Sequence, residues 1–371
     1  MLNRIKFFLP TRIFFGEGCL SEFLPEAAVF GRNALIVTGK SSARRTGLLD
    51  TVCGILKHSG VMCHVCDNVS PEPAVKDCVR VAEAGLQYDA DMLVAVGGGS
   101  AMDVAKAAAV LMKNPGPCQS YFGEEKFANE PLPVIAVPTT CGSGSEVTRY
   151  AVIIDEQTNT KKTISSERII PKMAILDPST IRSLPGPLIA GTGMDALCHA
   201  IEGFLSIKAN HLTQLFSRAA IRLIIENINN ATTDLHMGHI ESVFLGSLYA
   251  GFVINHTGTI FIHGMAYGLT IRHNVHHGTA NALCLPYALL FLKKHGYEEE
   301  IKELEGFITA QAIIDMNRRM GLPARLRDLG LQQSEIGILA EMAVKGCERS
   351  FKNMKQPFSK DDFVQIFTSM F

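Results

Sequence analysis

The first half of the chain alternates between short apolar runs and segments whose apolar residues recur at helical spacing. The run NALIVTG ends in glycine, and GLLDTVCGILKHSG after it has the three-to-four-residue repeat of a helix. The alternation continues through VMCHVCDNV, PAVKDCVRVAEAGLQ, DMLVAVGGG, SAMDVAKAAAVLMKN and PVIAVPTT. Strands alternating with helices form parallel βαβ units, with ligands at the carboxyl ends of the strands. This half is therefore predicted to form a doubly wound parallel sheet.

The second half changes character at a stretch rich in glycine and proline, residues 184–191. From about Pro187 onward the sequence shows helical patterns and no convincing strand. These patterns are MDALCHAIEGFLS, LTQLFSRAAIRLIIENINNA, ESVFLGSLYAGFVIN, YALLFLKKH, IKELEGFITAQAIIDMNRRM and SKDDFVQIFTSM. We predict an α/β domain over residues 1–187 and an all-helical domain over residues 188–371.

Composition excludes several classes of protein. With 35 Lys and Arg against 36 Asp and Glu, the net charge is -1, which argues against a nucleic-acid binder with a global basic surface. A hydrophobic fraction of 47% excludes a disordered chain. Neither a transmembrane run nor a secretory signal is expected. The 10 Cys are scattered, as in a cytoplasmic protein with reduced thiols, and the pair Cys63 and Cys66 lacks further zinc ligands at suitable spacing.

A glycine turn follows one of the predicted strands and opens a helix. It consists of Gly97, Gly98, Gly99 and Ser100. Glycine lets the backbone approach a diphosphate, and a helix N-terminus offers free N–H groups and a positive dipole end. Ser100 is predicted to cap this helix. The turn is not the G-x-G-x-x-G fingerprint, so a dinucleotide bound here is held by a variant of the Rossmann arrangement.

Two more loops follow predicted strands. The loop after PVIAV carries hydroxyls and glycines, with Thr139, Thr140 and Ser143 as candidates for cofactor contact. The loop after NALIV contains Gly39, Lys40 and Ser41, with Arg44 and Arg45 beyond. Where an NAD enzyme places an acidic side chain on the ribose hydroxyls, this loop has glycine, hydroxyls and cations, which suit a 2′-phosphate. A solvated basic loop is the other interpretation of this segment.

An aspartate and several histidines in the second half have the chemistry of metal ligands. Asp195 and His199 are four residues apart and so share one face of a helix. His263 follows, and then the adjacent pair His276 and His277. Three imidazoles and one carboxylate can hold Fe²⁺ or Zn²⁺ and leave positions open for substrate. A metal beside a redox nucleotide polarises an alcohol or carbonyl oxygen while nicotinamide exchanges a hydride.

Together these segments resemble the iron-containing (group III) alcohol dehydrogenases over nearly the whole chain. The matching motifs are FFGEG, GGGSAMDVAK, PTTCGSGSEVT, LDPSTI, GMDALCHAIEG, HGMAYGLT, HHGTANALCLP and PFSKDDFVQIF, in that order. The resemblance implies a dinucleotide-binding α/β domain and a helical metal- and substrate-binding domain, an architecture like that of dehydroquinate synthase. It implies an NAD(P)-linked dehydrogenase of small primary alcohols or diols that also reduces aldehydes, with NADP favoured over NAD and iron over zinc.

The resemblance also implies roles for particular residues. The metal ligands would be Asp195, His199, His263 and His277, with His277 preferred to His276 because the family's ligand directly precedes the glycine. The dinucleotide would contact the glycine turn, the second loop and a lysine, for which Lys161 fits better than Lys162. A homodimer or larger homo-oligomer is expected, with a small alcohol or aldehyde as substrate and no nucleic-acid or membrane partner.

Three positions depart from the family pattern. Many members have a second histidine four residues after the third ligand, as a proton relay. Tyr267 stands there, and it serves either as the catalytic relay or as a packing residue. Many NAD-using members carry Asp where this chain has Gly39, and relatives often have Asn where it has Glu72.

Two alternatives remain open. One is a polyol or polyol-phosphate dehydrogenase, or a lyase, on the same architecture. Arg272 is the only cation between His263 and His277, which argues against a phosphorylated substrate. The other is a nucleotide- and metal-binding protein that has lost catalysis.

Overall fold

The computed structural model describes residues 5–371. Its strands are β1 Arg12–Phe15, β2 Asn33–Gly39, β3 Met62–Val69, β4 Met92–Gly97, β5 Gly123–Glu124, β6 Val134–Pro138, β7 Tyr150–Asp155, β8 Thr160–Ser165 and β9 Met173–Leu176. Its helices are α1 Cys19–Phe23, α2 Ser42–Arg45, α3 Leu48–His58, α4 Val75–Gln87, α5 Gly99–Lys113, α6 Gly186–Leu205, α7 His211–Thr233, α8 Met237–Thr257, α9 Ile262–His273, α10 His277–Leu292, α11 Glu298–Leu304, α12 Ala310–Arg319, α13 Ile336–Cys347 and α14 Lys360–Ser369.

The chain forms two compact units. One comprises residues 9–140 and 144–183, and the other comprises residues 5–8, 141–143 and 184–371. The first is α/β and the second is helical, which confirms the predicted order of a parallel-sheet half and an all-helical half. Residues 141–143, in the middle of the second predicted cofactor loop, belong to the helical unit.

A six-stranded parallel sheet forms the centre of the α/β unit, in the order β1-β9-β6-β4-β2-β3. Alternate residues of its strands are buried on both faces: Ile36 faces the layer that contains α3, and Leu35 faces α4 and α5. Such two-sided burial explains the nearly continuous apolar strands. Cys63 packs on the first face and Cys66 on the second, so these two thiols do not share a metal site.

Two parts of the fold differ from the pattern that the sequence predicts. A second sheet, β5-β8-β7, contains an antiparallel hairpin between β7 and β8. The pattern IKELEGFITAQAIIDMNRRM, predicted as one helix, is divided into α11 and α12 because the chain leaves helical conformation after Leu304 and restarts with Thr309 as the N-cap.

Helix α6 lies at the centre of the helical unit. Pro185 precedes it and Pro187 lies in its first turn, where a missing N–H costs nothing. It is buried on all sides from Ile189 to Leu205 and contacts α7, α8 and α10. A helix that is buried all round belongs to the core of a protein. Helix α8, Met237–Thr257, is long and apolar enough to cross a membrane by length and composition, but 61% of its most apolar window is buried among these helices.

Candidate active site

Two of the predicted metal ligands lie on α6. Asp195 and His199 are one helical turn apart and both are buried, with 7% and 6% of their surface exposed. The Nδ1 atom of His199 lies 3.2 Å from the carbonyl oxygen of Gly142. Because a carbonyl only accepts, Nδ1 carries the proton and the Nε2 lone pair of His199 is left for another partner.

His263 comes from the first turn of α9. Its ring stacks on that of His199, with centroids 4.5 Å apart. Its Nε2 atom lies 3.4 Å from Oδ1 of Asp195. Although it is buried, this Nε2 makes no hydrogen bond within residues 5–371. A buried imidazole nitrogen that points toward a carboxylate and makes no hydrogen bond is suited to bind a cation.

His277 is the first residue of α10, and the close approach of α10 to α6 places it beside Asp195. A Cβ at Gly278 would lie 2.1 Å from the carbonyl oxygen of Gly191, so only glycine permits this approach. The amide nitrogen of Asn281 lies 2.7 Å from Oδ1 of Asp195 and 3.3 Å from Nε2 of His277. Asn281 thus connects two of the predicted ligands.

The ligand atoms of Asp195, His263 and His277 all lie within 4.8 Å of one another. His199 is not part of this closest group, although its ring stacks on His263. His276, the other candidate of the adjacent pair, is the exposed residue that precedes α10. The structure thus brings three of the four predicted ligands together and holds the fourth against them.

The electrostatics of this group favour a positive charge. Burial alone would raise the pKa of Asp195, but the imidazoles of His199, His277 and His263 hold it well below its usual range. Burial lowers the pKa of His199 to about 4, so this imidazole is neutral at neutral pH. Burial also lowers the pKa of His263, but Glu202 and Asp195 outweigh it and raise that pKa well above the ordinary value.

Glu202 and Asn281 were missed by the sequence analysis. Glu202 lies on α6, seven residues after Asp195, and is completely buried. Its Oε1 accepts a hydrogen bond from the backbone N–H of Ile262 at 2.8 Å, and its Oε2 contacts Nδ1 of His263. The spacing of seven on a helix face was a signal for Glu202, whereas nothing in the sequence pattern indicated Asn281.

Glu202 and His263, together with Cys198, also form a second group of possible metal ligands. The Sγ atom of Cys198 lies 3.9 Å from Nδ1 of His263 and 4.0 Å from Oε2 of Glu202. Burial raises the pKa of the Cys198 thiol to about 12, which keeps it protonated. Glu202 and His263 already contact each other. We therefore interpret Cys198 and Glu202 as the surroundings of the group of Asp195, His263 and His277.

Tyr267 is half-buried one turn after His263 on α9. Its ring centroid lies 5.8 Å from that of His277. Burial raises the pKa of Tyr267 above its ordinary value, so the phenol keeps its proton at neutral pH. The phenol can therefore donate a hydrogen bond, although as an acid it is weaker than an exposed tyrosine.

The glycine turn lies at the end of β4, next to the end of β6. Gly97 pairs with Pro138, and the N–H of Thr139 donates to the carbonyl oxygen of Gly97 at 3.0 Å. The predicted cap at Ser100 is wrong: Gly98 is the N-cap of α5, and the Ser100 hydroxyl instead donates to the carbonyl oxygen of Pro71. Among residues 5–371, no side chain therefore caps the first N–H groups of α5.

A buried lysine that no sequence pattern indicated joins α5 to the residues that follow the second loop. Nζ of Lys106 donates to Oγ of Ser145 at 2.7 Å and to the carbonyl oxygens of Thr148 and Tyr150, each at 2.9 Å. Asp103 accepts from Oγ of Ser145 at 2.6 Å. Burial lowers the pKa of Lys106 to about 8, with Asp103 opposing it. This network connects the helix of the glycine turn to the residues after the second loop.

Lys161, the predicted cofactor lysine, lies on β8 in an ion pair with Glu72. Nζ of Lys161 is 2.8 Å from Oε2 of Glu72, and only 7% of the lysine side chain is exposed. Glu72 thus places a carboxylate directly at this lysine.

The first predicted loop, at the end of β2, is exposed from Lys40 to Ser42. Arg44 forms an ion pair with Asp67 of β3. Of the three cations predicted around a 2′-phosphate, one therefore already has a carboxylate partner. Gly39 itself is half-buried, and within the described part of the chain a Cβ there would meet only the carbonyl oxygen of Val69, at 3.8 Å.

Comparison with known proteins identifies the family. The family model described as iron-containing alcohol dehydrogenase matches residues 10–178, and the model of that family's C-terminal part matches residues 189–371. The chain belongs to the iron-containing alcohol dehydrogenase family. It is 32% identical to the 1,3-propanediol dehydrogenase of Citrobacter freundii over 98% of both chains. It is 28% identical to an NADPH-dependent butanol dehydrogenase of Clostridium saccharobutylicum, over 99% of this chain and 98% of the relative.

A solved structure of a 1,3-propanediol oxidoreductase superposes on this iron-containing alcohol dehydrogenase with a TM-score of 0.92 and 30% identity, over 100% of both chains. Membership makes the protein an alcohol oxidoreductase that uses NAD(P) and a metal. The residues present fit that metal: a buried carboxylate, two imidazoles directed at it and an Nε2 atom with no hydrogen bond among the described residues form a donor set typical of divalent iron or zinc.

Proposed function

We propose that this protein is a metal-dependent, NADP-linked dehydrogenase of small primary alcohols or diols, and that it reduces the corresponding aldehydes. The observation that carries the proposal is the group of Asp195, His263 and His277 in the helical unit, with His199 stacked on it. The diol dehydrogenase and the butanol dehydrogenase among the relatives support this class of substrate.

Asp195, His199, His263 and His277 would hold the metal. A divalent cation bound there supplies Lewis acidity to the oxygen of the alcohol or aldehyde. Asp195 contributes the negative charge that holds it, and its contact with Asn281 keeps the carboxylate oriented. The proton donated by His199 to Gly142 orients the His199 ring with its Nε2 lone pair available.

The residues of the α/β unit would bind the dinucleotide. NAD(P) supplies the hydride acceptor or donor, and the ends of β2, β4 and β6 present the three loops side by side. The glycine turn exposes the first N–H groups of α5 to a diphosphate. Thr139 and Thr140 lie at the neighbouring strand end, and Lys161 provides a cation. Ser143, the remaining candidate, belongs to the helical unit. Tyr267 is the proposed proton donor.

The central test is a panel of alcohols and aldehydes with NAD and NADP, run after anaerobic loading with Fe²⁺ or Zn²⁺. Asp195→Asn and His199→Ala should lose metal and activity while the protein stays folded. His211→Ala changes an exposed histidine at the start of α7 and serves as the matched control. Full activity of metal-free His199→Ala protein would contradict the site assignment.

NADP is preferred over NAD in this proposal because Gly39 leaves out the carboxylate that would repel a 2′-phosphate, and because Lys40 is next to it. Gly39→Asp should weaken NADP binding more than NAD binding. The position has room for a side chain, so the variant tests charge and not folding. Gly39→Ala is the neutral control, and an unchanged ratio of the two dissociation constants in Gly39→Asp would show that Gly39 does not determine the choice of cofactor.

A cytoplasmic location and a homodimer or larger homo-oligomer complete the proposal. All ten cysteines are free thiols, as is usual in a reducing compartment. Ile207 and Leu215 are large apolar residues with 55% and 62% of their surface exposed, and an oligomer interface over either of them would remove that surface from water. Light scattering of the purified protein measures its oligomeric state.

A further inference from the structure

Glu202 is a completely buried carboxylate whose two oxygens have different partners. Oε1 accepts from the backbone N–H of Ile262 at 2.8 Å, and Oε2 contacts Nδ1 of His263. Ile262 and His263 are the first two residues of α9, and Glu202 lies on α6. One side chain therefore holds both the start of α9 and the ring that α9 carries.

The contact with Glu202 determines which nitrogen of His263 bears the proton. A carboxylate oxygen can only accept a hydrogen bond, so Nδ1 of His263 must donate and carries the hydrogen. In the neutral form, the one that can bind a metal, the ring then has its lone pair on Nε2, the atom that lies 3.4 Å from Asp195 and makes no hydrogen bond among the described residues. The ring is thus oriented with its only lone pair toward Asp195.

We propose that Glu202 is a positioning residue that fixes His263 as an Nε2 metal ligand and supplies the second negative charge of a neutral site for a divalent cation. This inference rests on the proposed metal site and extends it to a residue that does not touch the metal. Asp195 and Glu202 together carry the charge that balances a divalent ion, on opposite sides of the His263 ring. Carboxylates that accept from a ligand imidazole raise its basicity and orient it.

The variant Glu202→Gln changes the charge and the hydrogen bonding of this side chain and leaves its size nearly the same. Glutamine has one acceptor oxygen and one NH₂ group, whereas Glu202 accepts two hydrogen bonds. If the amide oxygen accepts from Ile262, the NH₂ group faces Nδ1 of His263 and favours the tautomer with the proton on Nε2. If the oxygen accepts from His263, the NH₂ group faces the backbone N–H of Ile262, so that two donors oppose each other at the start of α9. Either arrangement disturbs His263, and the negative charge is lost in both.

The experiment measures the affinity of the full-length protein for Co²⁺ by competition with a chelator, with the visible spectrum of bound Co²⁺ as a second readout. We expect the dissociation constant of Glu202→Gln to rise about 10- to 100-fold, with an altered spectrum. Ser217→Ala is the control: this buried hydroxyl on α7 donates to the carbonyl oxygen of Ala200 on α6, 2.5 Å away, and is not a partner of His263. Its Co²⁺ affinity should match that of the wild type.

Co²⁺ affinity and spectrum unchanged in Glu202→Gln would overturn the role of Glu202. Wild-type protein that binds no Co²⁺ would instead contradict the proposed metal site itself. Should Glu202→Gln fail to fold, ¹⁵N chemical shifts of labelled histidine in Zn²⁺-loaded wild type decide the question. A His263 ring that binds Zn²⁺ through Nε2 and keeps its proton on Nδ1 supports the proposal, and a ring that binds through Nδ1 overturns it.

Discussion

The Nδ1 atom of His199 and the carbonyl oxygen of Gly142 are 3.2 Å apart, although 57 positions separate them in the chain. A Cβ at Gly142 would lie 2.5 Å from the carbonyl oxygen of Thr192, so this residue approaches α6 as only glycine can. The close approach of Gly142 to α6, which places its carbonyl at His199, therefore depends on the absence of a side chain.

Gly142→Ala should weaken metal binding, because the added methyl group displaces the carbonyl that orients His199. We expect an affinity loss of about tenfold or more, as for other partners of ligand histidines. Metal content after dialysis against a chelator gives the measurement. Gly337→Ala, in the first turn of α13 where a Cβ meets nothing within 4 Å, is the control. Equal retention of metal by both variants would contradict this role of Gly142.

Lys106→Met should loosen the dinucleotide loops, since it removes the ammonium that joins α5 to Ser145, Thr148 and Tyr150. Leaving these oxygens and Asp103 without the cation should lower the free energy of unfolding by about 3 kcal/mol. The dissociation constant for NADPH should rise about tenfold, which corresponds to 1.4 kcal/mol. NADPH fluorescence titration measures this, with exposed Lys113→Met on the same helix as control. Unchanged NADPH affinity would limit Lys106 to a role in stability.

Glu146 should make stability depend on pH, because burial raises its pKa from 4.5 to about 7. Between these values the folded protein binds a proton that the unfolded chain has released, so this group's contribution to stability falls as pH rises from 4.5 through 7. Glu146→Gln removes the titration. The free energy of unfolding of Glu146→Gln minus that of the wild type should therefore be larger at pH 8 than at pH 5, by up to about 3 kcal/mol.

Urea unfolding at both pH values provides the test of Glu146. Exposed Glu83→Gln on α4 is the matched control, and its difference from wild type should be the same at pH 5 and pH 8. A difference for Glu146→Gln that does not grow with pH would show that the carboxyl is solvated in the folded protein.

Tyr267→Phe should lower the turnover of aldehyde reduction about 100-fold if the phenol donates the proton, the usual effect of removing a general acid. Its position one turn after His263, with its ring centroid 5.8 Å from that of His277, motivates this expectation. Steady-state kcat is compared with metal content and NADPH affinity, both of which should stay at wild-type values. Unaltered turnover would leave Tyr267 a packing residue.

Much of the architecture followed from local pattern. The strands β2, β3, β4 and β6 and the helices between them were predicted because apolar periodicity and glycine punctuation act over a few residues. The parallel pairing of β1 with β9, which joins residues 12–15 to residues 173–176, was not predicted. No local sequence pattern indicates a strand partner so far away in the chain. The cap at Ser100 was predicted wrongly because its hydroxyl donates a hydrogen bond to the carbonyl oxygen of Pro71, 29 residues earlier in the chain.

By itself the sequence determined that Asp195 and His199 share a helix face and that a glycine turn joins β4 to α5, since both depend only on spacing along the chain. Only the tertiary structure decided that His263 and His277 join Asp195, that Glu202 orients His263, and that Lys106 joins α5 to Ser145. The physical reason is burial. Polar groups removed from water must find partners, and packing decides which residues of distant helices and loops supply them.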